Sequence, residues 1–134
     1  MSSQVGSVRG LVDRVGGPDR LREILKRFYA RLAPDPIVGF FFAGFDLDEI
    51  VEGQWGFLMR AFGAAERFLG KNPLVAHREL PPILRGHFDR RLLVLREVLT
   101  EEGLDPADID AWIKVENGFR RRLVSEEGSR GRDR

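Results

Sequence analysis

Residues 15–44 read VGGPDRLREILKRFYARLAPDPIVGFFFAG, and the reading of this stretch decides the fold class. Gly16 and Gly17 interrupt whatever precedes them. Pro18 then suits the first turn of a helix, where its missing N–H costs nothing. Leu21, Ile24, Leu25, Phe28 and Leu32 recur at helical spacing. Pro34 and Pro36 end the run. A tight apolar segment follows over Ile37 to Phe45, with Phe40, Phe41 and Phe42 in a row and glycines at Gly39 and Gly44.

The pattern extends in both directions. Upstream, a short helix is expected over Val8 to Val15. Downstream, Asp46 is placed to cap a helix, with Glu49 three residues later in an Asp variant of the capping box. That helix carries Ile50, Val51, Trp55, Phe57, Leu58 and Phe62 and closes at Gly63. Residues 63–72 read as a loop. Pro73 opens a short helix through Leu74, Val75, Ala76, His77 and Leu80, which Pro81 and Pro82 stop. A longer helix is expected over residues 84–102, with Phe88, Leu92, Leu95 and Leu99 on one stripe and Gly103 as its stop. The last has Asp105 as cap and Pro106 in its first turn, and carries Ile109, Trp112, Ile113, Phe119 and Leu123. No stretch alternates as a strand bounded by hairpin turns. The expected class is all-α, with loops too uneven for a symmetric bundle.

Composition narrows the chemistry. A chain of 134 residues is one domain. Its 22 Lys and Arg against 21 Asp and Glu leave a net charge of +1, which argues against a polyanion binder. The arginines at Arg120, Arg121 and Arg122 follow a solvated helix face, so no nucleic-acid partner is expected. Residues 125–134 hold no apolar side chain and are expected to be a disordered charged tail, with residues 1–8 a flexible leading segment. No signal peptide or membrane span is legible, so a cytoplasmic monomer without a membrane partner is expected. Cysteine is absent, which excludes thiolate metal sites, a thiol nucleophile and thioether attachment of haem. There are two histidines, His77 and His87, and one tyrosine, against ten phenylalanines.

Some polar side chains stand where apolar ones belong. Ile50, Gln54, Phe57 and Leu58 share one helix face, and Gln54 is the odd member. An inward amide needs a hydrogen-bond partner. Tyr29 lies between Leu25 and Leu32 on the edge of a core stripe, and His77 lies between Leu74 and Leu80. Singly, each is ordinary: a satisfied core histidine, a half-solvated glutamine, a tyrosine with a wet hydroxyl. Together, on three helices of a phenylalanine-rich core, they suit an apolar cofactor with a polar centre. The residues alone do not name it.

The segments VGGPDRLREILKRFYARLAPDPIVGFFFAG, QWGFLMRAFG, LVAHREL and HFDRRL resemble the truncated (2-on-2) haemoglobins, group I, the cyanobacterial and mycobacterial N-type proteins among them. The resemblance covers residues 9–124. It implies a shortened two-over-two helical sandwich around a non-covalent haem b. His77 is similar to the proximal histidine that ligates iron, the metal site. Tyr29 and Gln54 resemble the distal pair that hydrogen-bonds bound ligand. Ile50 takes the place where many globins carry a distal histidine. Phe42 resembles the phenylalanine that wedges the haem, and Phe57, Leu58 and Phe88 would border it. The family carries HFD away from the iron, so His87 is read as structural. Gly53 stands where some relatives have a histidine that binds iron, so a five-coordinate haem is expected. Gly63-Ala64-Ala65 and Phe68 depart from the family pattern of a glycine pair and a tyrosine.

The resemblance implies reversible binding of dioxygen, with nitric oxide and carbon monoxide as related ligands. Two alternatives belong to other classes. One is a nitric oxide dioxygenase or peroxidase drawing on an external reductase, since no reductase domain is present. The other is a haem-based sensor or a helical interaction module without haem.

Overall fold

The computed structural model describes residues 8–63 and 85–118. Among these it contains five α-helices, one 3₁₀ turn and no strand. The helices are α1 (Leu11–Val15), α2 (Pro18–Leu32), α3 (Leu47–Ala61), α4 (Arg85–Glu101) and α5 (Pro106–Asn117), with the 3₁₀ turn over Gly39–Phe42 between α2 and α3. The expected helix from Pro73, the loop before it, Phe119, Leu123, the arginines at 120–122 and both terminal segments lie outside the described residues.

The central element is α2, which packs against α1, α3 and α4; α5 packs on α4. Its inner face is Leu21, Ile24, Leu25, Phe28, Tyr29 and Leu32, all buried. Burying each large apolar side chain contributes roughly 1.5–3 kcal/mol. The α1 helix starts at Leu11, later than its apolar pattern suggests, because Leu11 N–H bonds the Val8 carbonyl in a preceding turn. It stops at Gly16 and Gly17, whose φ values of 115° and 101° are open to glycine and strained for other residues.

Two caps follow the sequence. Asp46 accepts from the Asp48 amide at 2.9 Å, and Asp105 accepts from the Ala107 amide at 2.9 Å with Pro106 behind it. Two expected stripes shift. On α3 the buried residues are Val51, Leu58 and Met59, joined by Phe62 just beyond its end, while Ile50, Phe57 and Trp55 are half-buried. Trp55 is a clamp more than a core residue: its indole donates to the Pro18 carbonyl at 2.9 Å, and the Arg22 guanidinium lies 4.1 Å over its ring. On α4 the buried residues are Phe88, Val94, Leu95, Val98 and Leu99, with Leu92 at the margin.

The connection from α2 to α3 is built on Asp35. Its carboxylate accepts from the Ile37 and Val38 amides at 2.8 and 3.2 Å and pairs with Arg90 of α4 at 2.7 Å. This folds the chain so tightly that a Cβ on Gly39 would stand 2.3 Å from the Ala33 carbonyl oxygen. The turn that follows buries Phe41, half-buries Phe42 and leaves Phe40 exposed.

Candidate functional site

Tyr29 sits in the last turn of α2, at the mouth of the core, with its side chain almost fully buried. Two phenylalanine rings enclose it. Phe28 lies 4.9 Å away, and Phe42 meets it edge-on at 5.8 Å and 75°. The guanidinium of Arg91, from α4, donates to the Tyr29 hydroxyl at 3.0 Å.

Arg91 is itself held. Another of its nitrogens donates to Glu116 of α5 in a close ion pair. Glu116 is buried, and it gathers donors from three helices. One carboxylate oxygen takes Arg91. The other accepts from Gln54 Nε2 of α3 at 3.2 Å and from the Trp112 indole at 3.2 Å. Tyr29 and Gln54 are therefore joined, but through the ion pair: Tyr29, Arg91, Glu116, Gln54. The partner that the inward Gln54 amide requires is a carboxylate.

Electrostatics keep Arg91 charged and the Tyr29 phenol neutral. Burial pulls the Arg91 guanidinium down, and the charge of Glu116 with the Tyr29 contact more than offsets it, so Arg91 ends above its ordinary value. Burial pushes the Tyr29 phenol up, against the opposing pull of Arg91. The phenol therefore stays protonated at neutral pH. An isolated buried charge would be costly, and a pair satisfied by several hydrogen bonds is tolerated.

The remaining candidate residues are placed as follows. Ile50 and Phe57 are half-buried on the Gln54 side of α3, while Leu58 is fully buried in the core. Phe88 is buried in the first turn of α4. His87 is half-buried, with Phe40 and Phe41 edge-on at 5.4 and 5.1 Å. His77 lies outside the described residues. Arg91 and Glu116 are the members that sequence reasoning missed, yet a signal existed. Arg91 is three residues after Phe88 and four before Leu95; Glu116 is four after Trp112 and seven after Ile109. Opposite charges on the inner stripes of two neighbouring helices ask for each other.

The sequence model of the family described as Bacterial-like globin matches residues 10–124. A group 1 truncated hemoglobin of Synechocystis is 32% identical over 81% of this chain and 89% of its own length. The chain belongs to the group 1 truncated haemoglobins. A relative from Tetrahymena pyriformis, also named a group 1 truncated hemoglobin, is 27% identical over 87% of this chain and 95% of its own. One from Chlamydomonas moewusii is 33% identical over 74% of this chain, which spans only 58% of that protein. The solved Fe(III) form of the Tetrahymena protein superposes with a TM-score of 0.78 at 27% identity, covering 87% of this chain and 98% of that one. A 2/2 hemoglobin of Synechococcus, solved with covalently attached heme, gives 0.76 at 24% identity, covering 87% and 98%, and speaks for the fold alone. The fold of this truncated haemoglobin is thus all-α and of the two-over-two globin type.

Proposed function

We propose that this chain is a haem protein that binds dioxygen and related diatomic ligands reversibly. Membership in the globin family supports a haem and a small gaseous ligand. The observation that carries the finer reading is the state of the Tyr29 hydroxyl. It is buried between Phe28 and Phe42, is protonated, and accepts from Arg91. Its own proton is left to donate.

The residues present fit the group. Phe42, against the buried phenol, and Ile50 and Phe57, on the helix that carries the half-buried Gln54 amide, leave apolar side chains half-buried, a wall that a flat apolar cofactor would cover. Haem would supply an iron with an open coordination site for the ligand. His77 would hold that iron, and with no cysteine in the chain the group would be a haem b held without thioether bonds. Tyr29 would then donate to a ligand carrying partial negative charge. Gln54, fixed by Glu116, would keep the α3 side of the site in place. In a dry pocket such hydrogen bonds are worth on the order of 1–3 kcal/mol each. One such bond would slow ligand escape roughly five- to a hundredfold.

Absorption spectra of the purified protein in its ferric, ferrous and oxygenated forms test this reading. A stable oxygenated spectrum is expected, together with loss of normal haem retention in His77→Ala. Normal haem retention by that variant would overturn the assignment of His77.

A further inference from the structure

We propose that Arg91 is a specificity-determining positioning residue of the ligand site: held by Glu116, it occupies the Tyr29 hydroxyl as acceptor and so commits the phenol proton to ligands that can accept it. This rests on the haem reading above.

Directionality carries the argument. Tyrosine can donate one hydrogen bond and also accept, whereas a guanidinium has N–H donors and no acceptor and does not deprotonate in proteins. At 3.0 Å the contact between Arg91 and Tyr29 can run only one way. A glutamine, a carboxylate or a carbonyl in the same place could take the phenol proton for itself. Arg91 cannot. The carboxylate that could do so, Glu116, is already engaged by Arg91, Gln54 and Trp112.

Arg91 also cannot swing away. Its guanidinium is paired with Glu116 and lies over the rings of Phe28 and Tyr29, its carbon 5.1 and 5.9 Å from the two ring centres. A cation on the oxygen polarises the O–H bond and strengthens it as a donor. The reward falls to ligands with a good acceptor atom. Carbon monoxide, a poor acceptor, gains little. Removing Arg91 alone would expose the proton to Glu116 and turn it away from the ligand.

Two measurements test this. The first needs no haem. Tyr29 is the sole tyrosine, so phenolate absorption reports it without ambiguity. Arg91→Met is expected to raise its ionisation by about one pH unit or more, a tenfold weaker acid, with helicity followed by circular dichroism. The double variant Arg91→Met with Glu116→Gln leaves no unpaired charge; it serves if the single variant does not fold, and is likewise expected to raise it. An unmoved titration overturns the proposal.

The second uses the haem-loaded protein and reads the carbonyl stretching frequency and the preference for dioxygen over carbon monoxide. Arg91→Met is expected to shift both in the direction of Tyr29→Phe, lowering the preference about tenfold. In a Tyr29→Phe background it should add nothing. An equal effect of Arg91→Met with and without Tyr29 would mean that Arg91 acts on the ligand directly, and overturns the proposal. A chain that takes up no haem fails the reading above, and the phenol titration then decides on Arg91 by itself.

Discussion

Arg91 and Glu116 face each other across α4 and α5 as an ion pair whose carboxylate is buried and whose guanidinium is partly buried. The pair ties three helices to the Tyr29 hydroxyl through five side chains: Tyr29, Arg91, Glu116, Gln54 and Trp112. Its energetics differ from those of the surface pairs. Arg31 with Glu101, for example, is largely exposed and contributes little.

Truncating one partner of the central pair should be severe. Glu116→Ala leaves the partly buried Arg91 guanidinium and the Trp112 and Gln54 donors without their carboxylate acceptor. The expected loss is about 3–5 kcal/mol in denaturant unfolding. Replacing both partners together by apolar residues of similar volume, Arg91→Met with Glu116→Leu, should recover most of it. A double variant no better than the single one would show that the carboxylate acts alone.

Tyr29→Phe and Gln54→Leu should each speed dioxygen release from the haem-loaded protein. Loss of a hydrogen bond of about 1–3 kcal/mol corresponds to roughly five- to a hundredfold. Stopped-flow displacement of dioxygen measures this. Unchanged release in both variants would falsify the distal role given to these residues.

Two glycines should respond in opposite directions. Gly39→Ala places a methyl 2.3 Å from the Ala33 carbonyl oxygen, a contact that backbone must move to relieve. A loss of about 1–3 kcal/mol is expected. Gly53, inside α3, has open space where its Cβ would be. Gly53→Ala should add about 0.5–1 kcal/mol by restricting the unfolded chain and favouring helix. Thermal melts of the two variants separate these effects.

Asp35 gives stability a defined pH dependence. Its bond to Arg90, with help from the Ile37 and Val38 amides, holds its carboxyl below the ordinary value. A depressed folded value means that the unfolded state takes up the proton first. The stabilisation is therefore complete above the unfolded value of about 3.9 and is lost as the pH falls through the lower folded value. Asp35→Asn should be less stable at neutral pH and show a shallower loss in that acid range. Unfolding midpoints measured from pH 7 down to about 3 test the sign.

The haem should leave the protein by acid extraction into organic solvent, with the remaining chain at its sequence mass of 15.3 kDa. Mass spectrometry checks this. A covalent adduct surviving extraction would contradict the proposed non-covalent haem b.

Much of this molecule was legible one residue at a time. Helix starts are local events, so Pro18, Asp46 and Asp105 announced α2, α3 and α5, and the caps at Asp46 and Asp105 formed as their spacing implies. The inner face of α2 followed from periodicity alone, because a long amphipathic helix has one way to bury its apolar stripe. The inward placement of Tyr29 followed from the same stripe. Half-buried residues were harder. Trp55 and Leu92 fit the periodic sets of α3 and α4, yet helix rotation leaves them at the margin. A few tens of degrees of rotation decide such positions, and neighbouring helices set it.

The sequence by itself determined the helical class, the starts of α2, α3 and α5, the family, and Tyr29 and Gln54 as polar side chains on apolar faces. Only the tertiary structure decided how those side chains are connected. Arg91 and Glu116 are 25 residues apart, and Tyr29 is 62 from Arg91. No local rule relates groups at such separations. Their pairing exists because α2, α4 and α5 pack side by side, and because buried charge is tolerated only beside its opposite. The Arg91 contact on the Tyr29 hydroxyl follows from that packing.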